Sequence, residues 1–186
     1  MADKAFLTNG VNRLNNRAEH DYYATDPRAV KLLFELEKFH HKIWEPACGE
    51  GHLSKEIRKH GYEVRESDIV DRMDNEVSDF LKCDGIWNGD IITNPPYNKA
   101  KEFVYKALDI IPDGYKAAMF LKLTFLEGKA RRKLFEYHPP KKIYVSSSRL
   151  SCAKNGDFSH AQTAMALGWF IWERGYLGET IIDWFN

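Results

Sequence analysis

Asp90–Tyr97 reads DIITNPPY, and this stretch decides how the rest of the chain is read. Ile91 and Ile92 are adjacent, β-branched and apolar, which suits a short strand buried on both faces of a sheet. The strand runs straight into Asn94-Pro95-Pro96-Tyr97. Neither proline carries an N–H, so the ladder ends there, and Pro96 pushes Pro95 towards an extended conformation. The result is a stiff turn at the carboxyl end of a strand, with an amide before it and an aromatic ring after it. In open α/β sheets that edge is where ligands sit.

The groups fixed at this corner have a definite chemistry. Asn94 offers a side-chain carbonyl and Pro95 a backbone carbonyl freed from the ladder, so two acceptors can face one NH2 group. Tyr97 supplies a flat face for stacking. An exocyclic amine on an aromatic base is a poor nucleophile because its lone pair is conjugated into the ring. Accepting both of its N–H bonds favours the pyramidal form reached only in the transition state, which raises rate and not just affinity. A proline-bracketed loop with a core tyrosine is the plain alternative.

Upstream, Lys42–Ser54 (KIWEPACGEGHLS) reads as a strand at Ile43-Trp44, a tight glycine turn over Ala47–Gly51, and a helix through Leu53, Ile57 and His60. Glycines let the backbone approach a ligand and present N–H groups at a helix start. The third glycine of the dinucleotide fingerprint is replaced by Ser54, which speaks against a nicotinamide cofactor. Tyr62–Val64 then reads as a second strand that ends at Ser67-Asp68. Asp68 lies 17 residues past Gly51, about where an acid takes the ribose hydroxyls of a nucleoside. Strand, glycine turn, helix, strand and acid form a βαβ unit that holds a nucleoside. Asp79 and Phe80 have two readings: hydrogen bonding and stacking on an adenine, or a turn cap beside a core ring.

Further upstream, Asp26 with Pro27 reads as the cap and first residue of a helix carrying Val30, Leu33, Phe34 and Leu36. Tyr22 and Tyr23 lie just before that start, as packing or beside a ligand. Residues 1–20, with Arg13 and Arg17, read as a flexible polar arm, either solvated or touching phosphate. Downstream of Tyr97, Ala100–Ile110 has helical periodicity, and Lys99, Lys101 and Lys106 lie along it as a solvated face or a phosphate contact. Ala117–Leu123 reads as a buried strand, and Phe125–Gly128 leads into a helix whose start holds Lys129, Arg131, Arg132 and Lys133. Cations are unfavourable at a helix N-terminus, so phosphate contact and plain solubility compete to explain them. Ile143–Ser146 and Ala164–Trp172 read as the final strands. Between them the polar loop Arg149–Thr163 carries Lys154, Asn155, Gly156, Asp157 and His160, candidates for substrate contact. Trp169, Trp172 and Trp184 read as core or interface.

At 186 residues, with 44% hydrophobic and 29% charged side chains, the composition is that of one soluble globular domain over residues 21–186. Net charge is zero, so any basic footprint for nucleic acid has to be local. Three cysteines without C-x-x-C spacing suit free thiols in a reducing cytoplasm and offer no zinc site. The longest apolar run is too short to span a bilayer.

The glycine-turn nucleoside site followed by Asn94-Pro95-Pro96-Tyr97 resembles the class I S-adenosylmethionine-dependent N-methyltransferases. It is most similar to small N6-adenine DNA methyltransferases of the phage and prophage kind, including those of restriction-modification systems, and the resemblance spans about Tyr22 to Glu173. It implies a doubly wound, mostly parallel, seven-stranded Rossmann-like α/β sheet with helices on both faces and an antiparallel last strand. It implies S-adenosylmethionine as cofactor. Glu45, Cys48, Gly49 and Gly51 would line the methionine side, beside Asn94, and Asp68 would take the ribose. Asp79 and Phe80 would take the adenine, while Tyr22, Tyr23 and Thr25 would cover the methionine end. Asn94, Pro95 and Tyr97 would be catalytic, acting on an adenine flipped out of double-stranded DNA. Arg13, Arg17, Lys99, Lys129, Arg131, Arg132, Lys154 and His160 are the candidate nucleic-acid contacts. Position 94 is Asn where many DNA-adenine enzymes carry Asp. Related enzymes with Asn act on RNA guanine or protein glutamine, so the tetrapeptide alone leaves the substrate open. A homodimer and a cytoplasmic location complete these expectations.

Overall fold

Alternating side chains along buried strands divide the core into two halves, one on each face of a single sheet. The computed structural model describes residues 23–72, 74–147, 152–154 and 165–185. The main strands are β2 (Lys42–Glu45), β3 (Glu63–Asp68), β4 (Glu76–Val77), β5 (Asp90–Thr93), β6 (Lys116–Lys122), β7 (Lys142–Ser146), β9 (Leu167–Glu173) and β10 (Ile181–Phe185). Across the sheet their order is β10-β7-β9-β6-β5-β2-β3-β4. All neighbours are parallel except β9, which runs antiparallel to β6 and to β7. A separate antiparallel pair joins β1 (Tyr23–Thr25) to β8 (Cys152–Lys154).

Successive residues of a strand face opposite ways. Ile92, Ala118, Phe120, Trp169 and Ile171 therefore face α1 (Pro27–Leu36) and α2 (His52–Lys59). Ile91, Ala117, Met119, Phe170 and Trp172 face α3 (Ala100–Ile110) and α4 (Arg132–Tyr137). Asp26 caps α1, its carboxylate accepting from the Arg28 N–H, with Pro27 at the first helical position. The Trp169 indole N–H donates to the Ala29 carbonyl at 2.9 Å and pins α1 to the sheet.

This is the expected α/β architecture, with two differences of detail. The sheet has eight strands rather than seven, with β10 and β4 as its two edges. The antiparallel strand is the penultimate one in sequence, inserted between β6 and β7, while the last strand, β10, runs parallel to β7. The segment after β6 also differs: two short 3-10 turns, Leu123–Leu126 and Lys129–Arg131, come before α4. Lys129 and Arg131 thus precede the helix. Trp169 and Trp172 are core, whereas Trp184 is 61% exposed on β10.

The chain leaves β2 for β3 on one side and later builds β5 and β6 on the other. The gap between the carboxyl ends of β2 and β5 is therefore the topological switch point, where open α/β sheets bind ligands. Arg13, Arg17, Tyr22, His160 and Asn155–Asp157 lie outside the described residues, as does the 1–20 arm.

Candidate active site

The turn after β2 is shaped by its own backbone and by the end of β3. The Gly51 N–H donates to the Cys48 carbonyl (2.8 Å), and the Cys48 N–H donates to Ser67 O (3.0 Å). The Gly49 N–H donates to Asp68 Oδ2 (2.8 Å). Gly49 and Gly51 have φ of 53° and 70°, a region where a side chain is strained, so glycine is required at both. They shape the turn without lining the cavity beside it. Asp68 Oδ1 accepts from the Val70 N–H (3.1 Å). A carboxylate has about four acceptor positions, so Asp68 keeps capacity towards the cavity.

Ser54, which stands where the nicotinamide fingerprint has glycine, is fully buried and donates its hydroxyl to Glu45. Glu45 is itself 2% exposed. Burial pushes its carboxyl well above the ordinary range; the Ser54 bond opposes this, and the nearby Glu66 and Asp68 charges add to it. Burial, with Glu45 and Asp68 close by, also pushes the Cys48 thiol up to about 12. Glu66 is held by Arg58 at 2.7 and 2.9 Å.

At the next strand end, Asp79 accepts from the Leu81 N–H (3.1 Å) and caps the 3-10 turn Phe80–Lys82. Phe80 is 2% exposed and meets Trp44 edge-on at 5.2 Å. The capping and core roles are thus both realised, and both residues also face the cavity.

β5 is anchored at its start by Asp90, fully buried, which accepts from the Lys116 N–H (2.7 Å) and the His40 N–H. At its other end Pro95 is buried and Asn94 half-buried. Pro96 has φ −53° and ψ 121°, and its carbonyl accepts from the Lys99 N–H (2.8 Å), closing a single 3-10 turn over Tyr97–Lys99 that runs into α3. Tyr97 is half-buried and packs against both halves of the core. The Lys122 ammonium lies 4.4 Å from the centre of its ring.

One cavity of about 350 Å³ joins these strand ends. Thr25 from β1, Glu45 at the end of β2, Cys48 in the turn after it, and Asp68 at the end of β3 line one side. Asp79 and Phe80 close the next, and Asn94, Pro95, Tyr97 and Lys99 line the far side. Most of the expected residues, from five strand ends, therefore meet, Gly49 and Gly51 excepted. His52, Ile69, Arg72 and Phe103 line it as well and went unrecognised. Ile69 could have been found as the residue after Asp68. Arg72 lies in a loop without periodic signal, and Phe103 reads as ordinary helix core.

The candidate nucleic-acid contacts separate. Lys99 borders the cavity and is exposed. Lys129 is exposed on the 3-10 turn before α4, and Arg132, also exposed, pairs with Glu136 one helical turn on. Arg131 has another use: its guanidinium donates to the carbonyls of Phe125 (2.7 Å), Thr124 (3.0 Å) and Glu127. It clamps its own loop, which explains a cation there without any phosphate. Lys154 lies in β8, paired with Tyr23 of β1.

No protein-family profile matches the sequence, and no curated protein matches it. Solved structures do match in fold. A Listeria monocytogenes protein described as a class I S-adenosylmethionine-dependent methyltransferase superposes with a TM-score of 0.64 at 12% identity, over 94% of this chain and 69% of that one. The 23S rRNA methyltransferase ErmE gives 0.54 at 17%, over 85% and 72%. The M protein of the type I restriction enzyme EcoKI gives 0.57 at 14%, over 86% of this chain and only 45% of that protein. At these identities the likeness establishes the fold alone: the mostly parallel α/β sheet with one antiparallel strand that these proteins share.

Proposed function

We propose that this chain is an S-adenosylmethionine-dependent N-methyltransferase acting on the exocyclic N6 amino group of adenine in DNA. One observation carries the reading: the Asn94–Tyr97 corner and the glycine turn after β2 open onto the same cavity at the switch point of a methyltransferase sheet. Its volume falls within the roughly 300–1,000 Å³ of small-molecule sites. The donor set also fits the cofactor, since Asp68 lines the cavity and retains acceptor capacity for ribose hydroxyls. Bound there, S-adenosylmethionine would supply an electrophilic methyl group.

The chain's own residues do the rest. Asn94 Oδ1 and the Pro95 carbonyl accept the two N–H bonds of the amine and turn its lone pair out of conjugation. The Tyr97 ring stacks on the base and holds the nitrogen in line with the methyl. No strong base is required, because the proton is lost only after the nitrogen has gained the methyl and become acidic. The adenine has to leave the duplex to reach a site this deep. The EcoKI M protein, from a restriction enzyme, is consistent with a DNA substrate, and ErmE with RNA.

The test is transfer of label from methyl-labelled S-adenosylmethionine to DNA, RNA and cell protein offered separately, followed by identification of the modified nucleoside. N6-methyladenine in DNA supports the reading, while label confined to RNA or protein replaces the substrate and keeps the chemistry. Asn94→Ala is expected to abolish turnover while the cofactor still binds. Wild-type turnover in that variant removes the role assigned to Asn94.

A further inference from the structure

Lys122 is the last residue of β6, beside β5, the strand that runs into Asn94-Pro95-Pro96-Tyr97. Its backbone is fixed on both sides. It sits opposite Leu167 in the β6–β9 ladder, and the Leu123 N–H donates to the Ala166 carbonyl at 2.9 Å. A few residues on, Arg131 clamps the carbonyls of Thr124 and Phe125. The part free to move is the half-buried side chain, whose ammonium rests 4.4 Å from the centre of the Tyr97 ring. Among the described residues no carboxylate holds that ammonium in an ion pair, whereas Lys116 at the other end of β6, and Lys141 and Lys142 at the start of β7, each have one.

We propose that Lys122 is the phosphate contact for the flipped nucleotide, and that in the free protein its ammonium rests on the Tyr97 ring, the surface the base takes over. The inference rests on the function proposed above and adds a residue to it. Tyr97 is half-buried and packs against both halves of the core, which limits the ring surface open to a base. A base that stacks there displaces the cation. The exchange is easy, because a cation on a part-exposed ring is held by only about a two- to fivefold preference. The base brings the replacement partner with it, since a flipped nucleotide carries its own flanking phosphates to the cavity mouth. An ammonium serves a phosphate well as a compact point charge. The cations at the corner, Lys122 over the ring and Lys99 on the rim, give the backbone a place to stop.

The test is the salt dependence of DNA binding by wild type, Lys122→Met and Lys122→Arg, with steady-state methylation and melting measured on the same proteins. One lost phosphate contact makes the log–log salt slope shallower by about 0.9. Lys122→Met is expected to show that change, with the KM for DNA rising more than kcat falls, and Lys122→Arg to restore both. A wild-type slope in Lys122→Met overturns the inference. So does a fall in kcat at unchanged slope, which would mean that the lysine acts through Tyr97, and so does failure of the arginine variant to restore the slope. Wild-type protein that labels no nucleic acid removes the proposed function and this inference together; an active wild type with no slope change removes the inference alone.

Discussion

Replacing Arg131 by alanine separates a clamp from a phosphate contact. Its guanidinium bonds three carbonyls, those of Phe125, Thr124 and Glu127, and lies 5.1 Å from the centre of the Phe125 ring. A hydrogen bond contributes about 0.5–1.5 kcal/mol net. Thr124 and Glu127 are exposed, so water replaces much of what their carbonyls lose, and the lower end of that range applies to them. The ring contact adds about 0.5–1 kcal/mol. The expected loss is about 2–3 kcal/mol, or roughly 4–12 °C in Tm for a chain of this size. Arg132→Ala is the matched control. Arg132 makes an exposed pair with Glu136 four residues on, worth about 0.3–0.5 kcal/mol, and its loss should barely move Tm. Thermal and urea unfolding of both variants, read beside the salt slope of DNA binding, form the assay. An Arg131→Ala protein that melts like wild type but loses about 0.9 from the slope would refute the clamp and return Arg131 to the phosphate.

Three further outcomes follow from the site. Gly51→Ala forces a side chain into φ +70° with its Cβ 3.1 Å from Glu66 Oε1; a loss of about 1–2 kcal/mol in urea unfolding and weaker cofactor binding by calorimetry are expected. Glu45 has its carboxyl pushed up by burial, so above the ordinary carboxylate range the unfolded chain ionises while the native chain holds its proton. Stability should therefore fall as pH rises through and above that range, and Glu45→Gln should flatten this limb of the Tm-versus-pH curve; parallel curves would contradict it. Cys48 is 5% exposed with its thiol at about 12, so at pH 8 about one molecule in 10,000 is thiolate. Alkylation mapped by mass spectrometry should leave the Cys48 peptide unmodified in native protein and modify it once unfolded.

What could be read from the chain beforehand followed from local signals. Asp26-Pro27 announces α1, the apolar spacing of Phe103, Val104, Ala107 and Leu108 announces α3, and the prolines after Thr93 mark where β5 stops. These signals also assembled most of the cavity, because glycine turns, acids and prolines at strand ends each carry their own geometry. Other features depend on partners far along the chain. β4 has two residues and β8 three, too short for any period to register. The place of β9 between β6 and β7 is set by which strand edges remain open. Ser54 looked like a mere departure from a glycine pattern until Glu45 was found beside it. Arg131 looked like its basic neighbours, because nothing local reveals which carbonyls a guanidinium will find.

The insertion of β9 bears on the order in which this molecule can be assembled. Phe120 on β6 waits for Trp169, and Tyr144 on β7 waits for the same residue. Until residues 167–173 emerge from the ribosome, two apolar strands lie side by side in sequence with a vacant lane between them, each offering a raw margin to any stray extended peptide. The keystone arrives late, and a nascent chain held up just short of it is the form most in need of a chaperone.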